Sequence, residues 1–238
     1  MASLLDIYNQ AIGACGSAKV LSDPNQDAPE ARACNTYYEQ SLTSTLQMGW
    51  WNFAQRNEYA TLYAAAPGTI ESSSTNTSWF RTDPPPPWNY AYKMPSDIIQ
   101  VRMITYEAAS RIFAGPQRFK SMAMYDAVQG TYIPVIVTNA SRAVIVYTAN
   151  VRDPALFDGQ FVDTLVARLA MDMCLKLTAD QKLFATRVKV WQQMQNQALT
   201  SDANEGLGFI DFIHETLAAR GYRDACDPAA YIPMGVIE

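Results

Sequence analysis

The stretch that most restricts the fold is Pro84-Pro85-Pro86-Pro87-Trp88-Asn89-Tyr90-Ala91-Tyr92-Lys93-Met94-Pro95-Ser96-Asp97. Four consecutive prolines fix φ and withhold four backbone donors, so the approach reads as a stiff, extended rod. Trp88, Tyr90 and Tyr92 follow at i, i+2 and i+4, which places three aromatic rings on one face of an extended segment. Pro95 halts the run, and Asp97 is placed to cap the turn into a strand that begins at Ile98. The plain reading is a loop pinned to the core by aromatic anchors; the sharper one is a peptide-like ligand for an aromatic groove. The stretch holds no catalytic group.

Hydrophobic residues make up 49 % of the 238 and charged residues only 17 %. A chain of this length is long enough to bury a sizeable core as one domain or two small ones. Charge that sparse, against the usual quarter, leaves Gln, Asn, Ser, Thr and Ala to make the surface, which suits extensive contact between subunits. The net charge of −5 argues against a protein that coats DNA, but not against a surface past which DNA merely slides, where acidic walls would prevent sticking. Cys15, Cys34, Cys174 and Cys226 form no CxxC pair. The first three read as small buried hydrophobes on helix faces in a reducing compartment. The segment Met1–Asp6 lacks a basic region, so no signal peptide is expected, and no apolar stretch approaches the length of a membrane span.

Leu4, Tyr8, Ala11, Ile12 and Cys15 recur at helical spacing, and Gly16 ends that helix. Asp27 and Glu30 resemble a capping box for a second helix carrying Ala31, Cys34, Tyr38, Leu42 and Leu46, so the two helices should form an antiparallel hairpin. After Gly49, Trp50 and Trp51 point to opposite sides of an extended chain, one into the helical core and the other into the next layer. Residues 67–87 read as an exposed loop. From Ile98 the period changes to two, with strands expected from Ile98, over Phe119–Tyr125, Tyr132–Val137 and Ala143–Tyr147. Helix resumes at Asp153-Pro154 with a stripe of Val162, Leu165, Val166, Leu169, Met173 and Leu177. Thr178-Ala179-Asp180-Gln181 reads as another capping box, opening a helix that turns Phe184, Val188, Trp191 and Ala198 inward. A short helix from Phe209 to Arg220 and an extended arm complete the chain. The expected fold is α+β: a helical bundle from N- and C-terminal helices (1–50 and 154–221), an inserted antiparallel β-meander (51–153) and an extended C-terminal arm (222–238).

The chemistry carried by this pattern is thin. The single histidine, His214, lies near Asp211 and Glu215, a trio that reads more readily as a solvated helix face than as an acid–base pair. One histidine supplies no zinc site without several carboxylates or thiols beside it. There is no P-loop, GxGxxG or GxSxG. A glycoside hydrolase needs two carboxylates, but Glu107 and Asp126 stand at strand ends where a turn role suffices. Arg102, Arg111, Arg118 and Lys120, with Tyr106 and Phe119, form a modest basic and aromatic mixture that reads as a solvated strand face before it reads as a nucleic-acid site. No catalytic, metal or cofactor residue is expected.

Two motifs nonetheless carry a resemblance. Gly49-Trp50-Trp51-Asn52-Phe53-Ala54, following a helix that opens with Glu30-Ala31-Arg32-Ala33-Cys34, resembles the W-N-F-A segment of the tail tubular protein A-like adaptors of short-tailed phages. Trp88–Arg102 is similar to the Y-x-Y-x-x-P-x-D approach to a strand in the same family, and Phe161–Ala170 and the break at Leu177–Asp180 fit its later helices, up to about Gly206. The resemblance implies a single adaptor domain that forms a twelvefold ring of its own copies between the portal and a tail tubular protein B-like nozzle. DNA would pass through the ring without sequence-specific binding. It implies a structural protein with no cofactor, located in the virion neck and, during assembly, in the host cytoplasm, with no membrane partner. By the same analogy Tyr222, Tyr231, Ile232, Met234, Val236 and Ile237 of the arm are the expected portal contacts. The alternative is a carboxylate-based glycoside hydrolase acting on the cell wall during phage entry into the host.

Overall fold

Short polar side chains set where the helices begin. In a computed structural model, which describes residues 2–69, 72, 80–106 and 117–205, the first helix, α1 (Leu4–Ala14), opens with a reciprocal box. The Asp6 amide donates to the Ser3 hydroxyl at 3.1 Å and the Ser3 amide to the Asp6 carboxylate at 3.0 Å. Gly16, with φ at +80°, takes the left-handed turn that ends this element. Helix α2 (Pro29–Met48) departs from expectation: its cap is Ala28, without a side-chain hydrogen bond. Pro29 occupies the first turn, where a missing amide costs nothing. Asp27 and Glu30 turn to cations instead, Asp27 to Arg32 at 3.0 Å and Glu30 to Lys19 at 3.3 Å.

Asp153 caps a 3₁₀ turn (Pro154–Leu156), and Asp158 then caps α3 (Gly159–Thr178) by accepting from the Phe161 amide at 2.7 Å. The expected capping box at Thr178 is not formed. Thr178 ends α3 and donates its hydroxyl back to the Cys174 carbonyl at 2.9 Å, while Ala179 adopts the left-handed conformation. Asp180 caps α4 (Gln181–Glu205) alone, accepting from the amides of Lys182 and Leu183.

Helix α3 is the hub of this part of the chain. Helices α1, α2 and α4 each pack on it, and α1 and α2 touch one another less than either touches α3. The expected hairpin is thus two helices laid on a third. The stripe read from α2 is buried in full, as are Tyr8, Ala11, Ile12 and Cys15 of α1. On α3 the buried set extends beyond one stripe to Phe161, Thr164, Ala167, Ala170 and Cys174, because neighbours surround it.

The strands are β1 (Gln55–Tyr59), β2 (Leu62–Ala65), β3 (Tyr90–Lys93), β4 (Ile98–Tyr106), β5 (Phe119–Asp126), β6 (Thr131–Thr138) and β7 (Ala143–Ala149). They form two antiparallel sheets, ordered β2-β3-β6-β5 and β1-β7-β4. The α+β class therefore holds, but the simple meander does not. Of the four strands expected, only β5 and β6 form a hairpin, in register from Phe119 opposite Thr138 to Asp126 opposite Thr131. β7 is buried at every position and β6 over its last four, so both faces of these stretches are covered. In the observed order both are interior strands, β6 between β3 and β5 and β7 between β1 and β4.

The chain divides into two compact units. Among the described residues the helical unit takes those up to Arg56, Asp97–Gln100 and residues 148–205; the β unit takes those within Asn57–Ser96 and Val101–Tyr147.

Candidate interaction surface

In the helical unit, Trp51-Asn52-Phe53-Ala54 forms a 3₁₀ turn whose aromatic rings all point inward. Trp51, 1 % exposed, meets Phe161 edge-on at 4.9 Å and donates its indole N–H to the Thr45 carbonyl at 2.8 Å. Phe53 packs on both Phe157 and Phe161. Trp50 is 45 % exposed, so one tryptophan plugs the helical core as expected while the other faces outward. Further along α3 lie Cys15, Cys34 and Cys174, all free and buried. Cys15 donates to the Ala170 carbonyl at 3.3 Å, and Cys34 contacts the Met173 sulfur at 3.6 Å. Burial pushes the Cys15 thiol up to about 12 and the Cys34 thiol up to about 11, which makes both poor nucleophiles at neutral pH. They are packing residues.

The other side-chain network of this unit runs across helices. Ser41 donates to the Asp172 carboxylate at 2.8 Å, Arg168 donates to the same oxygen at 3.0 Å, and the Arg168 guanidinium lies 4.9 Å from the centre of the Trp191 ring. It ties α2, α3 and α4 together and offers no open site.

The β unit is built differently. The proline run is not a rod: the chain turns at Pro86-Pro87, whose peptide is cis, and the Trp88 amide donates to the Pro85 carbonyl at 3.1 Å. An X-Pro bond is the one peptide for which a cis turn of this kind is commonplace. The turn also breaks the expected aromatic face. Tyr90 and Tyr92 stay together, with ring centres 6.4 Å apart, and Tyr92 donates to the Ala140 carbonyl. Trp88, which precedes β3, packs instead against the cluster of Ala91, Met124, Val135 and Val137.

At the hairpin end of β5 and β6 a second aromatic group faces solvent. The rings of Tyr125 and Tyr132 meet edge-on at 5.7 Å. The Arg81 guanidinium sits 4.1 Å above the centre of Tyr125 and donates to the Tyr132 hydroxyl, a bond that raises the pKa of the guanidinium above its ordinary value. Tyr132 is 58 % exposed and neighbouring Phe80 56 %. These residues line a cleft of about 330 Å³ together with Asp83, Pro85, Pro86 and the β5 residues Met122, Ala123 and Met124. A second cleft, of about 440 Å³, is lined by β2, Asp83, Asp126 and Val128. Its two carboxylates are held by their own turns: Asp126 accepts from the Val128 amide and Asp83 from the Phe80 amide, each at 2.8 Å.

The expected basic and aromatic mixture is divided at β5. Phe119 and Lys120 are successive residues of β5 and so point to opposite faces. Glu107 and Arg111 lie outside the described residues, as do the Asp211, His214 and Glu215 trio and the helix expected from Phe209. The six expected portal contacts, Tyr222, Tyr231, Ile232, Met234, Val236 and Ile237, also lie outside them. Among the described residues no group of three or more His, Cys, Asp or Glu side chains is placed to hold a metal ion. No helix among them is long and apolar enough to cross a membrane. The Arg81 platform escaped the sequence reading because Arg81 lies some fifty residues from Tyr132 and no local pattern joins them. In comparisons with known proteins, no family model and no curated relative matches the chain.

Proposed function

We propose that this chain is a structural head-to-tail adaptor of a short-tailed phage virion, forming a ring between portal and tail nozzle around the DNA channel. The observation that carries the reading is the ordered pair of motifs, Gly49–Ala54 and Trp88–Arg102, each followed by the later helices at the expected spacing. Both motifs supply rings that seat the chain in a core, Trp51 and Phe53 in one unit and Tyr90 and Tyr92 in the other. A sparsely charged surface suits a ring whose members bury large heterologous interfaces. The proposed partners are other copies of the chain, the portal and a tail tubular protein B-like nozzle, with residues 222–238 reaching the portal. Deletion of residues 222–238 should abolish capture of purified portal rings; undiminished capture would refute that role for the arm.

The second reading, a carboxylate-based glycoside hydrolase, draws on one observation, that Asp83 and Asp126 line the same cleft. It predicts clearing of a peptidoglycan suspension that Asp83→Asn and Asp126→Asn each abolish. The adaptor reading predicts no clearing with either the native chain or the variants.

A further inference from the structure

The cleft beside Arg81 and one turn of the helical unit carry complementary character. At the hairpin end of β5 and β6, Ala123 and Tyr125 lie opposite Pro134 and Tyr132 on one face of the sheet, while Met122 and Met124 belong to the other face and its buried cluster. Phe80, Pro85 and Pro86 border the same cleft, so it offers an incoming side chain rings and proline, and its volume of about 330 Å³ is ample for one leucine. Arg81 is exposed and uses its face on Tyr125 and one donor on Tyr132, which leaves further donors for a carboxylate. Asp83 also lines the cleft, but its carboxylate accepts from the Phe80 amide. Among the described residues the β unit holds six basic side chains against three acidic ones, and the helical unit more acidic than basic ones.

Of the large apolar side chains exposed among the described residues, Leu156 alone has acidic residues within three positions on both sides, Asp153 and Asp158. It ends the 3₁₀ turn Pro154–Leu156, which its amide closes on the Asp153 carbonyl at 3.1 Å, and the next residue, Phe157, is buried against Phe53 and Phe161. Leu156 is thus presented on a fixed turn and loses little freedom on docking. Each flanking acid is exposed and uses one carboxylate oxygen as a cap, Asp153 on the Ala155 amide at 3.0 Å and Asp158 on the Phe161 amide at 2.7 Å, which leaves the other oxygen for a cation. A lone exposed leucine is ordinary surface; two carboxylates beside it on a fixed turn make it the counterpart of a cleft with an apolar lining and a free guanidinium edge.

We infer that residues 153–158 of one copy dock in the Arg81 cleft of a second copy, Leu156 against Phe80, Pro86 and Tyr132 and a flanking carboxylate on Arg81. Such a contact is heterologous: every copy offers one turn and one cleft, so each joins the next in the same sense. The contact deepens the ring proposed above and rests on it for the second copy, but it needs no portal.

Sedimentation equilibrium without portal tests it on the full native chain and on two full-chain variants, Leu156→Asp in the turn and Arg81→Glu in the cleft. The native chain should gain average mass as its concentration rises, and each variant should need at least tenfold more protein to reach the same mass. A one-to-one mixture of the variants should form dimers and stop there. The Arg81→Glu copy keeps a native turn and the Leu156→Asp copy a native cleft, so they can make one contact and no second; a misfolded pair would make none. Native-like association of either variant alone, or a mixture that stays monomeric or grows past the dimer, would overturn the contact. So would a native chain that stays monomeric at every concentration. If that chain still assembles on purified portal rings, the adaptor reading stands without the contact; if the chain associates as described but portal rings do not capture it, the contact stands without the adaptor reading.

Discussion

The helical unit and the β unit solve the same problem, covering apolar surface, to different degrees. Around α3, helices stand on several sides, and exposed large apolar side chains are scattered singly, at Val20, Trp50, Leu156, Leu175 and Met194. In the β unit Tyr92, Ile104, Ile136 and Ile145 are fully buried as well, but of the exposed apolar side chains described there Phe80 and Tyr132 line one cleft and Leu62 and Val128 another, with Tyr59 apart from both. Scattered apolar residues are ordinary surface, whereas clustered ones beside a concavity mark a place where something binds. The lesson is a division of labour, with one unit holding shape and the other holding surface in reserve.

Four experiments sharpen or break that contrast. The largest effect is expected from Trp51→Ala, which removes the ring on Phe161 and leaves a cavity in a closed core. It should cost about 3–5 kcal/mol in urea denaturation, and a loss below about 1 kcal/mol would mean the helical unit is not the rigid member. Next, Leu165→Ala on α3 should cost about 3–4 kcal/mol and Met124→Ala in the β unit about 2, since Met124 sits in a small cluster flanked by partly buried side chains that relax more readily around a void. Reversal of that order would undo the comparison.

Third, the Asp172 carboxylate holds both Ser41 and Arg168, and both members of the ion pair are mostly buried. Asp172→Ala should cost about 1–3 kcal/mol by stranding them. No loss would mean that the network is ornamental.

The fourth is pH. Burial raises the pKa of Cys15 to about 12, of Cys34 to about 11 and of Tyr38 to about 12, and raises Tyr8 further, all in the helical unit. Each binds its proton more tightly when folded than when unfolded. Their contribution is therefore complete below the ordinary values near 9–10 and is lost as pH rises from there towards about 12. Alkaline titration followed by tryptophan fluorescence of Trp51 should show the helical unit loosening before a β-unit probe such as Trp88 responds. Simultaneous loss would deny the units separate stabilities.

Much of the helical unit was legible because its period is long and its faces are wide. The stripes of α2 and the burial of three thiols follow from spacing alone, and the strands after Ile98 fall within a residue or two of their expected bounds. Strand β1 was not legible, since Gln55-Arg56-Asn57-Glu58-Tyr59 is polar and almost wholly exposed, with no alternation to betray it. Caps misled where two candidates competed, as with Pro29 against Asp27 and Asp180 against Thr178. Sheet order was hidden too, because β7 and β6 take neighbours distant in sequence. The Arg81 platform and both clefts are products of that order, so the surface with most to say about binding is the part the sequence conceals.

The role proposed for this chain is assembly with its own copies and a portal. Native mass spectrometry of the full chain mixed with purified portal rings tests it most directly. The account predicts one discrete complex carrying twelve copies of the chain on each portal ring. A chain that remains free at every ratio, with portal rings unchanged in mass, would contradict it.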